Sequence, residues 1–247
     1  MFESAKLKIK RADHHITDLE RQLAAFTRQN FDKSVRKADQ GKVDITITVL
    51  TPPPEIALTI GDAIHNLWTS LDHLMWEIVG FYNGGQHDQL YFPKGRDRAS
   101  YEGLCGSIEA PPAVKQRLEA IEAFPGGAGH FLYVTHSLDR TDKHTALTPV
   151  IHAPTADELM VVTDGGTVRR RLSELYGSPF VLQAGETFTL DGAFNDTGLA
   201  FENDAEISPH ILFGDVEFVK DEPIIPTLFQ LRHAVANAID TIASSIS

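Results

Sequence analysis

Histidine and aspartate crowd one side of a segment in the first third of this sequence. From about Ile60 to Val79, Ile60, Ile64, Leu67, Leu71, Leu74 and Ile78 recur at helical spacing. Asp62, His65, Thr69, Asp72, His73 and Trp76 then fall together on the opposite side. A solvent face ordinarily carries Lys, Glu and Gln; this one carries no lysine. Imidazole beside carboxylate is the pairing that moves protons in general acid–base catalysis, with His65, His73 and Asp72 as the candidates here. Trp68 and Trp76 on the same helix are candidate substrate contacts, because an indole is seldom left wholly in water. The plainer alternative is a set of capping and interhelix hydrogen bonds around a core tryptophan.

A second concentration is His136-Ser137-Leu138-Asp139-Arg140-Thr141-Asp142-Lys143-His144. Phe131, Val134 and Leu138 form an apolar stripe whose next position is Asp142. A carboxylate at a core-facing position needs a donor or a cation, since burying it unpaired costs several kcal/mol. Two solutions stay open: Asp142 caps the turn that ends the helix, or it meets His65 or His73 across a cleft. His65, His136, Asp139 and His144 are candidate ligands for a divalent metal, Zn, Mn or Fe, because imidazole and carboxylate suit those ions. The two-histidine, four-apart spacing of zinc helices is missing. Arg140 and Lys143 are candidates for holding an anionic substrate group.

The elements that must position these residues are legible in part. Ile9, Ala12, Ile16, Leu19, Leu23 and Phe26 predict an amphipathic first helix, and the basic residues between 28 and 42 read as a polar connection. Val43, Ile45, Ile47 and Val49 alternate with polar residues, predicting a half-buried strand that ends at Pro52-Pro53-Pro54. Thr59 with Asp62 resembles a capping box for the 60–79 helix, and Gly80 is its expected stop. Residues 83–112 read as a long loop with order around Leu90–Phe92. Helices are expected over 113–124 and 130–142, joined by Pro125-Gly126-Gly127-Ala128-Gly129, which lacks the Lys-Ser/Thr of a phosphate loop. From 157 to 219 short alternating runs predict antiparallel strands, and Pro226 to Ile246 predicts a closing helix. The expected fold is α+β: one domain over 1–247, with a helical bundle-like core (1–150 and 223–247) and a β-rich section at 151–222.

Composition narrows the classes. The 247 residues are 42% hydrophobic and 23% charged, the balance of a globular chain rather than a disordered or fibrous one. The net charge of −12 argues against extended binding to nucleic acid or anionic membrane. Most of it lies in the last 97 residues, outside the helices that carry the candidate site. A single cysteine, Cys105, rules out an internal disulfide and a thiolate zinc cluster, and with no base beside it reads as structural. The start lacks a secretory apolar stretch and no run approaches a bilayer span, so the expectation is a cytoplasmic protein without membrane contact.

Two motifs carry a resemblance. Gly61-Asp62-Ala63-Ile64-His65-Asn66-Leu67-Trp68-Thr69-Ser70-Leu71-Asp72-His73-Leu74 resembles a helix motif, G-D-x-I-H-N-L-R-S-A-L-D-H-L, of a group of uncharacterised bacterial proteins. His136, Leu138, Asp139, Asp142, Lys143 and His144 match that group's later L-H-x-L-D-x-x-D-K-H. The R-S-A-L-D-H part is also similar to the R-x4-6-H motif of HEPN-type helical ribonucleases, with His73 at the histidine and Trp68 where the arginine stands. In those enzymes paired subunits form a metal-independent site that cleaves RNA.

Three functional expectations follow. The first is a hydrolase with a His/Asp pocket between the 60–79 and 130–144 segments, acting on a small or anionic substrate, with Asp142 among its catalytic groups. The second, implied by the resemblance, is a HEPN-like RNA-cleaving or RNA-binding dimer of toxin or antitoxin type. The third is a non-enzymatic interaction module in which the 9–26 or 228–246 stripe forms a homodimer contact.

Overall fold

Helix dominates because the long apolar stripes are spaced for it, and the strands pair where short β-branched runs alternate. A computed structural model of the chain describes residues 2–37, 43–49, 51–83, 90–152, 159–163, 166–170, 187–190 and 210–244. The result is a mostly helical mixed fold with antiparallel strand pairs. Among the described residues no helix is long and apolar enough to cross a membrane.

The chain divides into two compact units. The first takes residues 1–21, 54–148 and 213–247 and contains every candidate site residue. Its central element is α2, Pro54–Asn83, beside α1, Glu3–Asn30, of which the first part belongs here. Then come α3, Arg98–Ser107, α4, Pro112–Ile121, α5, His130–Asp142, and α6, Ile224–Ala243. α2 packs against α5 and α6, and its stripe Ile60, Ile64, Leu67, Leu71, Leu74 and Ile78 is wholly buried. Ile16 and Leu19 of α1 and Leu228, Leu231 and Val235 of α6 are likewise buried. Arg232 of α6 holds Asp13 of α1 through Nε and a terminal nitrogen at 2.9 and 3.0 Å, a two-point contact that fixes both side chains.

α2 starts six residues before the expected Ile60, with proline in its first turn where a missing N–H costs nothing. Thr59 is therefore already inside the helix, and its hydroxyl donates to the Glu55 carbonyl at 2.9 Å instead of capping. Gly80 does not end it, as helical backbone continues to Asn83. The segment 83–112 contains a helix that was expected to be loop. Asp97 accepts from the Ser100 amide at 2.8 Å, and Ser100 Oγ accepts from the Asp97 amide at 3.1 Å, a reciprocal cap that starts α3. Tyr101 and Cys105, four apart, are its buried pair. The Tyr101 hydroxyl donates to the Leu118 carbonyl at 2.5 Å, tying α3 to α4. Burial pushes the Cys105 thiol up to about 11, so it stays protonated and unreactive.

The second unit takes residues 22–53 and 149–212. β1, Phe31–Lys37, pairs antiparallel with β2, Val43–Val49, with Phe31 opposite Val49 and Lys37 opposite Val43. The polar connection expected over 28–42 thus contains a strand, which has little apolar alternation of its own and takes its register from β2. β6, Thr187–Leu190, adds to the other edge of β2. β4, Leu159–Thr163, pairs with β5, Gly166–Arg170, and β3, Pro149–His152, with β7, His210–Phe213. The runs expected at Phe180–Leu182 and Leu199–Glu202 lie outside the described residues.

Candidate functional site

Two helices meet face to face where the chemistry-bearing residues are spaced to share a side. His65, Thr69 and Asp72 follow one another at four and three residues on α2, and His136, Asp139 and Lys143 at three and four along α5 and its C-cap. Asp139 is the pivot. Its side chain is 2% exposed, with Oδ1 2.8 Å from His65 Nδ1 and Oδ2 2.6 Å from Lys143 Nζ. One carboxylate thereby holds an imidazole on the opposite helix and an ammonium on its own. With Nδ1–H donating to Asp139, His65 Nε2 is left as the acceptor nitrogen, 3.4 Å from the Thr69 hydroxyl, on a side chain that is 51% exposed.

Asp142 sits directly against α2. A Cβ at Gly61 would overlap the Asp142 carboxylate, so glycine is what allows the helices to approach here. Burial, then the Asp139 and Asp62 charges, raise the Asp142 pKa, while His65 and the Leu147 amide oppose the rise. The carboxylate accepts from the Leu147 amide in the following turn and lies within electrostatic reach of His65.

Beyond Trp68 the cluster continues. Trp68 is 5% exposed, with its ring 4.8 Å from the His136 ring and 6.1 Å from Phe92, both edge-on. Lys94 Nζ lies 5.7 Å from the Trp68 ring centre and meets His136 Nε2. Asp72 Oδ1 accepts from the Phe92 amide at 2.9 Å, which pins the 90–94 segment over α2. Burial is the largest influence on all three ionisable groups. It pushes Asp72 up to about 6, with the Asp139 charge adding and the Phe92 amide opposing. It pushes His136 down to about 4, helped by Lys94, and lowers Lys94, with Asp72 opposing and Arg140 and Lys143 adding.

Several candidates lie elsewhere. His73 turns to α1: its Nδ1 is 3.1 Å from Ser4 Oγ, and that hydroxyl donates to Glu77 Oε1 at 2.5 Å. Glu77 also accepts from the Ser4 amide at 3.2 Å, so this trio caps the start of α1. Trp76 is 55% exposed, and His144 is exposed beyond the end of α5. Among the described residues no three His, Cys, Asp or Glu side chains gather to hold a metal ion. The proposed ligand set does not fit one as placed: both Asp139 oxygens are taken, and His136 Nε2 meets Lys94 Nζ.

Lys94 is the site residue that sequence reasoning missed. It follows Pro93 in a stretch without periodicity, and the Gly95 amide, donating to the Ala123 carbonyl at 3.0 Å, and Asp72, accepting from the Phe92 amide, help to hold the segment in place. A groove of about 980 Å³ lies away from this cluster, lined by Asp13, Phe131, Phe229 and Arg232 among others. Its Asp13 and Arg232 satisfy each other, and His233 lines it as well. Comparison with protein-family models, curated proteins and solved structures found no match.

Proposed function

We propose that this chain is a hydrolase of a small anionic substrate, working at the α2–α5 face without a bound metal. The observation that supports it most is the Asp139–His65 pair, which orients the imidazole and leaves Nε2 at a half-exposed edge beside Thr69. A water at that edge gives its proton to His65 Nε2 as it attacks, and Asp139 stabilises the imidazolium that forms. Arg140 and Lys143 supply positive charge for the anionic group. Asp72, titrating at about 6, is the acid suited to return a proton to a leaving group.

The test is turnover of p-nitrophenyl phosphate and p-nitrophenyl acetate by the full chain, with His65→Ala and Asp139→Asn beside it. The reading expects a loss of roughly 10²–10⁴-fold in each variant and no effect of EDTA. Unchanged turnover in both variants would overturn it. Turnover that requires added Zn, Mn or Fe would return the site to the metal-dependent form.

The RNA-cleaving alternative has less support. It centres on His73, whose Nδ1 is engaged with Ser4, and on Trp68, which is buried. RNA cleavage lost in His73→Ala would reverse that ranking. A homodimer through the first or last stripe would have to use other residues than Ile16, Leu19, Leu228 and Leu231, which are buried within the chain.

A further inference from the structure

A cleft of about 430 Å³ is lined by the apolar Val79, Leu90, Phe92 and Leu104 together with the polar Tyr91, Lys94, Ser107 and Glu109. Lys94 thus borders both this cleft and the ionisable cluster. Its nitrogen is placed on a histidine ring nitrogen, not on a carboxylate, and over an indole face. The groups around it are Asp72 on α2 and His136, Asp139, Arg140 and Lys143 at the end of α5, with Glu109 across the cleft. Burial and the two cations outweigh Asp72 and Asp139, so Lys94 releases its proton more readily than an exposed lysine. A desolvated lysine beside other cations is the environment in which an amine becomes a nucleophile at neutral pH.

We propose that Lys94 is a nucleophilic amine that binds a carbonyl compound with an apolar substituent in this cleft as an imine. The free amine adds to the carbonyl carbon. The carbonyl oxygen then leaves as water, taking both protons of the amine, and a neutral C=N bond remains. No oxidant or reductant is needed. This assignment differs from the hydrolase reading in its reacting nitrogen, Lys94 Nζ in place of His65 Nε2.

The experiment is reductive labelling of the full chain with hexanal and cyanoborohydride at pH 7, followed by peptide mapping. The other nine of the ten lysines serve as internal standards. Lys94 is expected to label faster than exposed Lys6 and Lys10, because its lowered pKa leaves more of it as free amine at pH 7. The advantage should shrink at pH 10, where the other amines are also free. Formaldehyde should show a smaller preference for Lys94 than hexanal, and Leu104→Asp should weaken only the hexanal preference. His65→Ala should leave labelling unchanged, which keeps the two readings distinguishable. Labelling of Lys94 no faster than of Lys6 at pH 7, or a preference that persists undiminished at pH 10, would overturn the proposal.

Discussion

His65 and His73 stand on one helix, two turns apart, in sequence surroundings that look alike, yet they end in different roles. His65 faces α5, where a buried carboxylate fixes one ring nitrogen and leaves the other accessible. His73 faces the start of α1, where its ring nitrogen, a serine hydroxyl and Glu77 close a cap. The difference is made by the opposing element and not by the helix itself: α5 presents a charge that needs partners, and α1 presents unpaired backbone donors. A histidine beside an aspartate is therefore a catalytic candidate only once the element across from it is known.

The two tryptophans give the largest expected test of this contrast. Trp68→Ala removes the ring packed between His136, Phe92 and Lys94 and should cost about 3–5 kcal/mol in urea denaturation. Trp76→Ala, on the open side of the same helix, should stay within about 0.5 kcal/mol. Equal costs would remove the distinction between a packed wall and an open side.

Gly61→Ala comes next. The new methyl group displaces the Asp142 carboxylate, and a loss of about 1–3 kcal/mol is expected, most of it recovered in Gly61→Ala with Asp142→Ala. His73→Ala should cost about 1 kcal/mol of stability through the α1 cap and leave turnover unchanged. His65→Ala should remove turnover and also cost about 1–3 kcal/mol, because Asp139 Oδ1 is left buried without its partner. Turnover lost in His73→Ala as well would merge the two regions into one.

The smallest effect is in pH dependence. His136 is pushed down to about 4 from 6.5, so the unfolded chain takes up a proton that the folded chain refuses. Its contribution to stability is therefore lost as pH falls from about 6.5 to 4. Asp72 is raised from 3.8 to about 6, so the folded chain keeps a proton that the unfolded chain releases, and its contribution is lost as pH rises through that range. The two nearly cancel, each worth about 1 kcal/mol after solvent screening. Melting curves between pH 4 and 6.5 should show stability rising with pH in Asp72→Asn and falling in His136→Gln.

What the sequence reveals and what it hides divide along the same line. The stripes of α2 and α6 are local and repeat every three or four residues, so these helices are readable directly, whereas in α5 Phe131 is exposed and Asp139, not Asp142, is the buried carboxylate. Asp139 with His65 is half readable: both are singled out, but the pairing spans 74 positions. Lys94 carries no local sign, because its place is set by Asp72 holding the Phe92 amide and by an indole on another element. β1 and α3 are hidden for related reasons, one depending on its partner strand and the other on a cap formed by two small polar side chains.

The contact between Gly61 and Asp142 also fixes an order of events. Any side chain added at Gly61 meets a carboxylate, whereas shortening Asp142 clashes with nothing and gives up its bond from the Leu147 amide, so the two positions change together more readily by one route. Position 142 must yield first. A saturation library at position 61 should look intolerant in the parent chain and permissive in an Asp142→Ala background. The helix crossing thus acts as a one-way gate on sequence change, set by the absence of a single methyl group.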